Sequence, residues 1–140
     1  MNKVLNNLFV YGTLRRKFSR SKGGLLWGNS NFLGEGRTVG TLYAGCSYPA
    51  SILTDEGVII GDVAEIKDLG IIRNLDAYEG YNEKTDTGLY LRRIVSVIIP
   101  EIQKQLECMI YIMELPPQGW ELIADGDWLH FMELKRLTKG

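Results

Sequence analysis

Six β-favouring segments, half of them bounded or interrupted by glycine, occupy much of this chain and restrict it to a sheet that curves on itself. Residues 8–11 (Leu-Phe-Val-Tyr) run into Gly12-Thr13, residues 34–43 carry Gly34, Gly36 and Gly40, and residues 58–66 carry Gly61 within a β-branched run. Branched and aromatic side chains favour strands, while an isolated glycine inside such a run marks a bulge or a bend. Residues 51–54, 90–99 and 106–113 complete the set, and the last two, joined around Pro100, read as an antiparallel hairpin with a longer loop.

One helix is well marked. Asp68 can cap it, Leu69, Ile72 and Leu75 recur at a spacing of three, Ile71 and Tyr78 extend the apolar stripe, and Gly80 stops it. Residues 15–31 read as a loop with one short helical turn, anchored by Leu25, Leu26 and Trp27. After the break at Pro116-Pro117, Leu129, Met132, Leu134 and Leu137 predict a closing helix. The predicted class is α+β with a curved sheet.

At 140 residues and 45% hydrophobic content, the chain fits one domain over residues 1–140, with enough apolar material for a core without disulfides or metals. Sixteen Lys plus Arg stand against seventeen Asp plus Glu, a formal charge of -1 that provides no field for nucleic acid or an anionic membrane. A small molecule is the expected partner. Cys46 and Cys108 match no metal or redox spacing, and the first residues have neither a secretory apolar stretch nor an arginine-rich transit pattern, so a cytoplasmic location with reduced thiols is expected. No apolar run nears the roughly 20 residues that span a bilayer. Oligomeric state leaves no legible mark.

Two short strings carry the candidate chemistry. A strand ending in the turn Tyr11-Gly12-Thr13-Leu14 leaves successive backbone N–H groups without sheet partners, a concavity that holds a carboxylate or phosphate. Read alone, the same string also fits an ordinary hairpin turn. Gly12 is expected there because a side chain would block a ligand's approach. Glu79 ends the predicted helix, where the macrodipole disfavours negative charge by about 0.3–1 kcal/mol. Apolar walls such as Tyr78 and Tyr81 would raise its pKa further, toward that of a proton shuttle near neutral pH. Asp76, three residues earlier, is the rival, and both also fit solvated helix-end charges.

His130 is the single histidine, which excludes a His-rich zinc site or an H-E-x-x-H motif and favours a structural role for it. Gly34-Glu35-Gly36 lacks the third glycine of a dinucleotide fingerprint. Cofactor-free chemistry by a carboxylate remains. Arg15, Arg16, Lys17, Arg20 and Lys22 form a basic cluster that fits a solvated loop or a field steering an anion inward. Strand alternation turns one of Arg92 and Arg93 inward, where it needs a carboxylate or a ligand, and Tyr90 shares the face of Arg92. Tyr90 and Arg92 are therefore candidate substrate contacts.

In order along nearly the whole chain, Phe-Val-Tyr-Gly-Thr-Leu at 9–14, Tyr48-Pro49-Ala50, Gly61-Asp62-Val63, Leu75-Asp76-Ala77-Tyr78-Glu79-Gly80, Tyr90-Leu91-Arg92-Arg93 and Gly126-Asp127-Trp128 resemble the γ-glutamylcyclotransferase-like proteins, which include the AIG2-like group. The resemblance implies a strongly bent mixed sheet approaching a small barrel, a few flanking helices, and a cavity between the first-strand turn and the glutamate. It also implies conversion of a γ-glutamyl amine or γ-glutamyl amino acid to 5-oxoproline and free amine, without metal or cofactor. On the same ground Glu79 is the catalytic acid/base, and Tyr11, Gly12, Thr13 and Leu14 receive the γ-glutamyl group. Lys17-Phe18-Ser19-Arg20 departs from the family's pattern just after the first motif. A member that binds a small metabolite without turning it over is the alternative.

Overall fold

The computed structural model describes residues 5–138. Strands β1 (Asn7–Val10), β2 (Ser30–Val39), β3 (Thr41–Ala44), β4 (Pro49–Ile52) and β5 (Val58–Ile66) fill the first half. Between the first two lie a 3-10 turn at Arg16–Phe18 and the single-turn helix α1 (Gly24–Trp27). The second half carries α2 (Ile72–Glu79), the ribbon β6 (Tyr81–Asn82) and β7 (Thr87–Gly88), the hairpin β8 (Leu91–Ile99) and β9 (Lys104–Ile112), the short β10 (Glu121–Ile123), and α3 (Trp128–Thr138).

The curved sheet goes all the way to closure: β1, β5, β2, β8 and β9 form a barrel in that order, antiparallel throughout except where β1 meets β9. A second sheet runs β10-β3-β4. Small residues on the inner face of β2 make the closure possible. Gly34, Gly36 and Thr38 are buried and alternate with the exposed Glu35, Arg37 and Val39. A Cβ on Gly36 would lie 2.6 Å from Val97 Cγ1 and 2.9 Å from Val63 Cγ2, so branched side chains of β8 and β5 occupy that space instead. The register shifts between Phe32 and Gly34, a bulge that bends the strand further.

The predicted strand over 34–43 is in fact two. β2 begins earlier, at Ser30, and after Gly40 the chain leaves β5 and pairs with β4 and β10 as β3. Alternation of buried and exposed positions continues in phase through Gly40 to Leu42 and Ala44, so periodicity conceals the change of sheet.

That alternation splits the core in two. Phe9 points into the barrel with Val63, Val97, Ile99 and Ile110, while Leu8 and Val10 pack on the other side with Ile71, Leu75 and Tyr111. Asp68 Oδ1 accepts from Gly70 N at 2.9 Å at the start of the short 3-10 turn leading into α2, and Gly80, at φ 71°, ends the helix. Ile71 and Leu75 are buried as the stripe predicts, whereas Leu69 and Tyr78 stay exposed. The closing helix forms, with Trp128 buried and tilted against Phe18 at 6.0 Å between ring centroids. Among the described residues no helix is long and apolar enough to cross a membrane.

Candidate active site

The segment leaving β1 and the last turn of α2 meet at one cavity of about 270 Å³. Its wall contains Tyr11, Gly12, Thr13 and Leu14 together with Glu79 and Tyr90. The turn is held from the protein side: Arg15 N donates to Gly12 O at 3.0 Å, and Trp27 Nε1 donates to Leu14 O at 2.8 Å. No acceptor for the N–H groups of Gly12, Thr13 and Leu14 occurs among the described residues. A cavity-lining turn with free donors suits an anion or a developing oxyanion.

Packing against the protein itself also requires glycine at position 12. A Cβ there would lie 2.8 Å from both Cδ and Cγ of Pro49, so the glycine admits a neighbouring wall residue. Proline cannot give way as a flexible side chain can. Gly12→Ala is therefore expected to destabilise the protein by about 1–3 kcal/mol, measured by urea unfolding, and to displace the turn.

Glu79 ends α2 in the same cavity wall, partly buried. Its carboxyl has no hydrogen-bond partner among the described residues, and burial alone pushes its pKa from the ordinary 4.5 to about 7. Three tyrosines stiffen the surrounding wall. Tyr11 Oη donates to Tyr111 O and accepts from Ser51 N at 3.2 Å; Tyr90 Oη donates to Pro49 O at 2.6 Å; Tyr111 Oη donates to Asp76 Oδ1 at 2.7 Å. Burial above all, with the nearby Glu79 among the lesser causes, pushes all three phenols well above their ordinary range, so they stay protonated and able to donate. Thr13 Oγ1 and Tyr78 Oη, 2.9 Å apart, link the turn to α2.

Arg92 does not line the cavity. Its Nη1 donates to Asp76 Oδ1 at 2.6 Å and its Nη2 to Glu83 Oε1 at 3.0 Å. A strand arginine facing a helix that carries a carboxylate pairs with it, and the guanidinium is no longer free for a ligand. The same bond removes Asp76 as a rival to Glu79, since its carboxylate is not in the cavity wall and serves Arg92 and Tyr111. Arg93 pairs with Asp86 at 2.8 Å, and His130 with Asp125 at 2.6 Å, both at the surface.

The basic cluster also divides. Arg15 is only 3% exposed and bonds Asp62, whereas Lys22 lines the cavity. Arg16 stacks on Phe32 at 4.3 Å. Tyr48 and Tyr111 are wall residues that sequence reasoning did not single out. Tyr48 belongs to the Tyr48-Pro49-Ala50 string, but Tyr111 has no mark beyond its place in a β-favouring run. Trp120 packs edge-on against Tyr48 at 5.5 Å.

Known proteins share this architecture. The "Putative gamma-glutamylcyclotransferase YkqA" of Bacillus subtilis (strain 168) is 32% identical over 125 residues, 86% of this chain; the chain spans only 40% of that relative's length. The "Putative gamma-glutamylcyclotransferase BH1612" of Halalkalibacterium halodurans is 30% identical over 103 residues, 71% of this chain and 87% of that protein. The crystal structure of YkqA matches with a TM-score of 0.71 at 28% identity, covering 95% of this chain and 43% of that one. The solution NMR structure of YtfP from Escherichia coli gives 0.62 at 29% identity, covering 90% of this chain and 98% of that one. Since the sequence family "Gamma-glutamyl cyclotransferase, AIG2-like" matches residues 8–130, from β1 through both walls of the cavity into α3, this chain belongs to that family.

Proposed function

We propose that this protein is a cofactor-independent γ-glutamylcyclotransferase-type enzyme that converts a γ-glutamyl amine or γ-glutamyl amino acid to 5-oxoproline and the free amine. The observation that carries this reading is the unpartnered Glu79 carboxyl, at a pKa of about 7, in one wall with a turn whose N–H groups are free. Near neutral pH such a group exchanges protons readily in both directions.

Glu79 takes a proton from the substrate α-ammonium, and the freed nitrogen attacks the γ-carbonyl carbon, forming the C–N bond of a five-membered ring. The carbonyl oxygen becomes an oxyanion, stabilised by donors of the 12–14 turn. Collapse breaks the bond to the leaving nitrogen, which receives its proton from Glu79. Of the three ammonium hydrogens, one stays on the lactam nitrogen and two leave with the amine as its ammonium form. No water is consumed. The attack is intramolecular, so holding the chain in a reactive bend supplies much of the acceleration.

Incubation of the purified protein with a panel of γ-glutamyl amines and γ-glutamyl amino acids, followed by quantification of 5-oxoproline, tests the reading. Tight retention of a donor without release from any of them would favour the binding protein instead. A pH profile gives a second check. Because the carboxylate is the competent form of the free enzyme, kcat/KM is expected to rise with pH through about 7 and level off above it. A flat profile between pH 6 and 8 would remove Glu79 as the titrating base.

A further inference from the structure

We infer that Arg15 and Asp62 are positioning residues that fix the 11–14 turn as a receptor, an inference that rests on the reading of the site given above. The first-strand turn, the central-strand Gly61-Asp62-Val63 and the Gly126-Asp127-Trp128 string lie far apart in sequence, and their charged members meet at one buried guanidinium.

The geometry is that of a fork. Arg15 Nε donates to Asp62 Oδ2 at 3.1 Å and Nη2 to Asp62 Oδ1 at 3.1 Å, while Arg16 N donates to Asp62 Oδ2 at 2.9 Å. The remaining guanidinium contacts reach Glu35 Oε2 at 3.3 Å and Asp127 Oδ1 at 3.4 Å. Arg15 is 3% exposed and Asp62 6%. Asp62 also stands opposite Val10, the last residue of β1, in the β1–β5 register. One residue thus meets the chain at the end of β1 and again at Arg15 and Arg16, and the receptor turn is the excursion between.

Energetics separate positioning from simple support. Glu35 and Asp62 are directly opposed across β2 and β5, a like-charge pair that is unfavourable without a cation between them. Replacing the whole group with apolar side chains would relieve both that repulsion and the desolvation of Arg15, and buried ion pairs are often no more stabilising than such replacements. What apolar packing cannot supply is direction. A bidentate guanidinium–carboxylate contact fixes angle as well as distance, and here it adjoins a turn whose residues line the cavity and whose N–H groups have no acceptor among the described residues.

Two variants test this. Arg15→Lys keeps charge and stem but loses the fork, and Arg15→Met combined with Asp62→Leu fills the space without charge. Both are expected to stay folded by circular dichroism, to move the backbone amide NMR signals of Gly12, Thr13 and Leu14, and to raise KM for a γ-glutamyl donor about tenfold or more. A merely structural role would lower the active fraction and leave KM unchanged. Wild-type amide signals and wild-type KM in Arg15→Lys would overturn the inference. Should that variant not fold, Asp62→Asn, which keeps size and one acceptor, is read by the same criteria. If the wild type releases no 5-oxoproline from any donor, the catalytic reading falls, and the amide signals alone decide whether the fork sets the turn.

Discussion

Glu79→Gln is expected to lower 5-oxoproline release by about 10²–10⁴-fold, the range over which a positioned proton carrier acts, while the protein remains folded. The change is close to isosteric, so the cavity keeps its shape and loses only the transferable proton. Stability is expected to move the other way. Burial raises the Glu79 pKa from 4.5 in the unfolded chain to about 7 in the native state. Between those values the native state holds a proton that the unfolded chain has released, so stability falls as pH rises through this window and stays lower above it. Glutamine carries no such penalty. The variant should therefore exceed the wild type at pH 8 by on the order of 1–3 kcal/mol and match it at pH 4. Urea unfolding at the two pH values checks this. An equal difference at both would mean that the carboxyl is well hydrated, and the mechanism would lose its proton carrier.

Arg92→Met is expected to cost about 3–5 kcal/mol, because it leaves the Asp76 carboxylate buried beneath the β8 face without its cation. The damage should reach the cavity, since Tyr111 lines the wall and its hydroxyl is tied to Asp76. Arg92→Met combined with Asp76→Leu removes both charges and is expected to recover most of the lost stability. Chemical denaturation of the two single variants and the double variant closes the cycle. A loss under about 1 kcal/mol for Arg92→Met alone, the usual worth of an exposed pair, would show that solvent can replace the arginine.

Much of this molecule is readable before folding, where a local pattern and the tertiary environment ask for the same thing. Residues 58–66 are β-branched and central; Asp68 and Gly80 bracket α2; alternation places Phe9 and Val10 on opposite sides of β1. The turn at 11–14 and Glu79 stand out as candidates because each departs from a local rule, the first by leaving donors unpaired and the second by ending a helix with a negative charge. What escapes is whatever depends on a distant partner. Arg15 belongs to a charged run that looks the same solvated or buried, and only the β5 carboxylate beside it decides. Arg92 is inward, but its carboxylate lies on a helix whose docking no spacing reveals. The role of Gly12 is set by Pro49, which arrives from β4.

Closure of the barrel through β1 and β9 also orders the making of the protein in time. β1 is synthesised before β5 and β9, yet it lies between them, and its contact with β9 pairs Leu8 with Met109. Pairing over so long a stretch of chain forms late and slowly. On the ribosome the segment bearing the receptor turn must wait, one edge unmatched, until β9 has emerged, so a nascent chain cannot assemble the cavity by stages. Truncation before residue 112 would therefore leave an exposed apolar strand prone to association rather than a smaller working protein.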